Sequence, residues 1–173
     1  WSLCWLVAAA SERGLAMGRE VDRAYRLTES ALHWRLSRMR ACFGDEAQHR
    51  LLWDTYFNAG VFALRSDAPH WASWARWFGA GIEATGGNLC CDQSALNHAI
   101  WKDRLEVTPL PAICNWLCHL ALPTLAHPSG RFLEPFPPRR PIGILHLAGH
   151  SKHQVVTFRG HGLERQVSLR HPG

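Results

Sequence analysis

The residue pattern predicts an α/β fold, and three observations carry that expectation. Segments rich in Ala and Leu, or with apolar residues at spacings of three and four, read as helices. Short apolar runs fall between them and read as buried strands. Glycine and proline stand at the junctions, where helices and strands must stop. The 173-residue chain is 47% hydrophobic and 19% charged, which suits one globular domain with a real core and excludes a disordered chain.

Each element can be justified in order. Residues 2–13 are rich in Ala and Leu and predict a helix that stops at Gly14. Residues 15–18 form a short apolar run, expected as a strand, and the charged stretch 19–26 as an extended crossing. A second helix is expected over 28–43, broken at Gly44 and resumed over 45–52. Residues 56–64 read as a strand carrying Asn58, Ala59 and Gly60 in its first half. Asp67 and Pro69 announce a third helix, with Trp71, Trp74, Phe78 and Ile82 along one face, and Gly86-Gly87 close it. That spacing favours a core-facing stripe over a sugar-stacking platform. Asp92 is an apt N-cap for a helix over 93–101 that buries Leu96, Ala99 and Ile100. A strand is expected over 105–110. Seven prolines between 111 and 141 forbid long regular elements there. A compact apolar strand is expected over 142–147, and a hairpin about Gly160 to Gly162 in a polar, basic tail.

Charge and cysteine usage narrow the function classes. The net charge of +5 favours anionic partners such as phosphates and diphosphates. Its basic residues are scattered, with no recognition helix, RNP motif or zinc finger, so no nucleic-acid partner is expected. Six cysteines without a small secreted framework suggest reduced thiols and a cytoplasmic protein. No apolar stretch approaches a membrane span, which leaves peripheral contact with the inner face of a membrane open. The spacing of Cys114, Cys118 and His119 is not a common zinc pattern.

Four stretches stand out together: Tyr56-Phe57-Asn58-Ala59-Gly60-Val61, Asp92-Gln93-Ser94-Ala95-Leu96-Asn97, Leu110-Pro111 followed by Asn115-Trp116, and Ile144-Leu145-His146-Leu147-Ala148-Gly149-His150-Ser151-Lys152. In this order they resemble the C-terminal motif series of the retaining, family-eight glycosyltransferases, which have the GT-A fold. The resemblance covers roughly residues 55–152. It implies a GT-A-like mixed sheet flanked by helices over residues 1–153, followed by a basic tail over 154–173. It also implies transfer of a sugar from a nucleotide-diphosphate donor to an unknown acceptor.

Residue by residue, the resemblance makes His146 a ligand of Mn²⁺ or Mg²⁺ and puts Gly149 and Lys152 on the diphosphate. It places Asp92 and Gln93 at the reacting face of the donor sugar, Gln93 in a positioning role. Asn58, with Ala59 and Gly60, would contact sugar hydroxyls, and Asn115 and Trp116 would meet the substrate from their loop. The chemistry agrees, because a departing diphosphate needs a cation and fixed donors. Other readings remain for the same residues: Asp92 as a helix cap, Asn58 as a bulge residue, Trp116 as a core plug and His146 as a core histidine.

The chain departs from the family in two places. It contains no Asp-x-Asp, the signature that binds the metal in the family. Its opening helix and strand resemble the segment just downstream of that signature, so the expectation is a fragment lacking the nucleotide-binding half. After Lys152 the family continues Pro-Trp, whereas this chain has His153-Gln154. The rival class is a truncated, non-catalytic relative that serves as a binding or interaction module.

Overall fold

The computed structural model describes residues 3–25, 27–87, 92–149, 152, 154–160 and 162–168. It is a mixed α/β structure with small sheets flanked by helices. The chain divides into two compact units: Trp1–Val21 with Leu27–Leu110, and Asp22–Arg26 with Pro111–Gly173. One boundary falls at the first proline of the irregular stretch, and the terminal hairpin belongs to the second unit.

In the first unit, helix α1 (Leu3–Arg13) leads through Gly14 into strand β1 (Leu15–Arg19). Helix α2 (Glu29–Arg50) starts at Thr28, whose hydroxyl accepts the Ala31 N–H. It kinks at Gly44, where φ 82° and ψ −177° lie outside what a side-chain-bearing residue adopts readily. Strand β2 (Phe57–Leu64), helices α3 (His70–Thr85) and α4 (Asp92–Lys102) and strand β3 (Thr108–Leu110) complete the unit. The sheet order is β2-β1-β3, with β1 antiparallel to β2 and parallel to β3. Leu15, Met17, Met39 and Leu96 are fully buried between sheet and helices, joined by Phe57, Ile100 and Trp101.

Two expectations are corrected here. Trp71 and Ile82 do not face the core: they are 44% and 41% exposed, and α3 buries His70, Ser73 and Gly81 instead. The Trp71 indole N–H donates to the Arg65 carbonyl at 2.9 Å on the exposed side, whereas Trp74 of the same expected stripe packs against the core and donates to the Asp92 carbonyl at 2.9 Å. The strand expected over 105–110 shortens to Thr108–Leu110, because the Leu105 N–H turns back to the Ile100 carbonyl and continues the end of α4.

In the second unit, a short 3₁₀ turn (Ala112–Cys114) precedes strand β4 (Trp116–Leu117), which pairs in parallel with β7 (Leu145–His146). Strands β5 (Thr124–Leu125) and β6 (Phe132–Leu133) pair antiparallel, as do β8 (Val156–Gly160) and β9 (Leu163–Val167). The strand expected over 142–147 is only Leu145–His146, because the Gly143 and Ile144 N–H groups both turn to the Ile113 carbonyl. The hairpin is a packed element: Phe158 is buried and meets Phe132 edge-on at 4.9 Å. At Gly160 a Cβ would lie 2.5 Å from the Leu125 carbonyl oxygen, so only glycine lets β8 come this close. Buried Glu134 accepts from Arg23 and Arg140, tying residues 22–26 to this unit.

Candidate functional site

The first cluster arises from an irregularity in β2. Between Met17 and Gly18 the pairing partner jumps from Phe62 to Asn58, so residues 59–61 bulge from the ladder. Bulges re-aim side chains and backbone groups, often beside active sites. Asn58 closes this one, its Oδ1 accepting the Gly60 N–H at 2.9 Å. The bulge thereby turns the Ala59 N–H toward α4, where Gln93 Oε1 accepts it and the Asn58 side-chain amide, each at 3.1 Å. The Gln93 amide nitrogen donates to Glu20, whose other oxygen accepts from Arg35 at 2.8 Å. Arg35 and Asn58 are buried.

Asn97 holds the two motifs in register. Its side chain is fully buried and takes both backbone groups of Phe57, the N–H to Oδ1 and the carbonyl to Nδ2, at 2.8 Å each. It also donates to the Gln93 carbonyl one turn earlier, so α4 is clipped to the free edge of β2 with Gln93 opposite Asn58.

Asp92 lies at the exposed start of α4. Its carboxylate accepts the Gln93 N–H at 2.7 Å, the contact of a helix-end residue, and no hydrogen bond links it to Asn58 or Glu20 among the described residues. It stands in the first turn of α4, outside the hydrogen bonds that join Asn58, Gln93 and Glu20.

The second cluster lies in the second unit. His146 Nδ1 donates to Asn115 Oδ1 at 2.9 Å, which leaves Nε2 as the nitrogen with a lone pair. Burial, then the nearby His119, lowers the His146 pKa below the usual 6.5, so the ring is neutral at pH 7. Asn115 is itself fixed, because its carbonyl accepts from the Tyr25 hydroxyl, which in turn accepts the Leu117 N–H. Exposed Gly149 approaches the His119 ring, and Lys152 is exposed with no ion-pair partner among the described residues.

Two residues expected to contact substrate are buried. Trp116 is fully buried, its N–H donating to the Ala121 carbonyl at 2.7 Å and its ring meeting Tyr25 edge-on, so it plugs the core. Asn115 is buried and its side-chain oxygen accepts from His146, so it orients the imidazole.

For a metal, a neutral imidazole fixed by a second residue is a suitable ligand. It is one ligand, however, and among the described residues no three His, Cys, Asp or Glu side chains gather into a set. Nor do the cysteines help: burial raises the Cys114 thiol to about 11 and Cys118 to about 12, keeping both protonated at pH 7. Cys90 and Cys91 lie outside the described residues, as do His150, Ser151 and His153.

The sequence reading missed Glu20, Arg35 as its partner, and Tyr25. Their partners are distant in the chain, Glu20 meeting Gln93 across 73 positions, so no local spacing announces them. Comparisons with protein families, with characterised proteins and with solved structures return no match for this chain.

Proposed function

We propose that this chain serves glycosyl transfer from a nucleotide-diphosphate sugar to an acceptor, on a GT-A-type scaffold of the retaining, family-eight kind. The observation that carries the reading is the meeting of Asn58-Ala59 with Gln93. These motifs lie 35 positions apart in sequence, yet they share one hydrogen-bonded array beside a backbone bulge. The array supports a sugar-holding role. Gln93 is positioned by three partners, and its amide has one hydrogen beyond the bond to Glu20 with which to meet a hydroxyl. A carboxamide held this way orients a substrate; it does not attack it.

His146 and Lys152 supply the complementary half of the reading. Lys152, without an ion-pair partner among the described residues, offers its ammonium to the diphosphate, and neutral His146 offers Nε2. A bound Mn²⁺ or Mg²⁺ would supply positive charge for the departing diphosphate, with His146 as its ligand from this chain.

A second reading has its own observation in favour. Asn58 and Gln93 satisfy each other without any ligand, which suits a scaffold kept for binding or interaction alone. Thermal unfolding of the chain with a panel of UDP-sugars and Mn²⁺ separates the two. Glycosyl transfer predicts that one UDP-sugar raises Tm by about 5 °C at saturating concentration. That increment should shrink in both Gln93→Ala and His146→Ala, each compared with its own ligand-free baseline. No increment with any nucleotide sugar favours the non-catalytic module.

A further inference from the structure

In the first unit a cavity of about 330 Å³ lies between the end of β1, the start of α2 and the segment that precedes β2. Its wall is apolar, with Leu27, Leu32 and Leu52, and at its rim stands Trp53, 87% exposed. The exposed indole beside the leucines offers apolar surface for the body of a ligand.

The charges in the lining are unequal. Arg35 is paired with Glu20 at 2.8 Å, and Asp54 is paired with Arg50 at 3.2 Å. Arg19, exposed at the last position of β1, pairs with Phe57 through its backbone, and its side chain has no hydrogen bond or ion pair among the described residues. The pocket thus carries one surplus positive charge over an apolar wall. Pockets of this size take single small molecules, with apolar surface for affinity and a few polar groups for orientation.

We infer that this pocket binds a small amphiphilic anion, with an aromatic or aliphatic body against the leucines and Trp53 and an acidic group at Arg19. The site is separate from the Asn58–Gln93 array and stands or falls without the glycosyl-transfer reading. Arg35 links the two physically, since it lines the pocket and holds the Glu20 that holds Gln93.

Calorimetric titration of the whole chain with 1-naphthyl phosphate, 1-naphthol and inorganic phosphate tests this. The expected result is one-to-one binding of 1-naphthyl phosphate at least tenfold tighter than either fragment. Arg19→Gln should weaken 1-naphthyl phosphate about fivefold and leave 1-naphthol unchanged, whereas Trp53→Ala should weaken both. Both changes lie at exposed positions and spare the core. Arg159→Gln, on the exposed hairpin, should change nothing. The inference is overturned if 1-naphthyl phosphate gives no saturable heat. Equal affinity in the parent and both pocket variants overturns it too, as does an equal loss in Arg159→Gln.

Discussion

His98 shows how far one side chain's surroundings can set its chemistry. It lies on α4, stacked flat on Phe43 at 4.2 Å and edge-on to Trp77 at 4.4 Å. Burial first, then repulsion from Lys102, lowers its pKa from 6.5 to about 4. The unfolded chain takes up this proton near pH 6.5, and the folded chain refuses it until about 4. Its contribution to stability is therefore complete above 6.5 and drains as the pH falls toward 4. Urea unfolding at pH 7 and pH 5 should show the parent losing about 2 kcal/mol more than His98→Phe over that interval. Equal losses would mean that the ring is protonated in its aromatic cage. At this scale the motif residues were legible and their duties only partly so. Asn58, Gln93 and His146 could be picked out by type and spacing, whereas the burial that turns Asn115 and Trp116 inward depends on the whole second unit.

At the level of elements, the helices were legible because their signals are local. Thr28 caps α2, Gly44 breaks it, and Gly86 ends α3. The short strands were not, because a two-residue strand such as Leu145–His146 exists only through its partner Trp116–Leu117. The bulge in β2 was invisible for the same reason: Asn-Ala-Gly reads as strand until the register with β1 is known. The Asn97 clip between α4 and β2 gives this scale its prediction. Asn97→Ala leaves the Phe57 N–H and carbonyl without their partner in a buried place and should cost about 3 kcal/mol. Asn97→Asp keeps the acceptor for the N–H but sets a buried carboxylate against the Phe57 and Gln93 carbonyls, so it should cost at least as much. Chemical denaturation reads both, and a cost below about 0.5 kcal/mol for the alanine variant would show that the clip does not hold α4.

On the scale of the whole molecule, the α/β class was readable from alternating periodicities, but the division into two units was not. It depends on residues 22–26 leaving the first unit, where Arg23 meets Glu134 and Tyr25 meets Asn115 across about a hundred positions of chain. Among the described residues no helix is long and apolar enough to cross a membrane. The functional account rests on the first unit's amide array being a sugar-holding surface. The most direct test follows the side-chain amide resonances of Asn58 and Gln93 while the isotope-labelled chain is titrated with UDP-sugars in Mg²⁺. The account predicts that one UDP-sugar moves both resonances along a common saturation curve, with UDP alone moving them less. Resonances that stay fixed through every titration would contradict it.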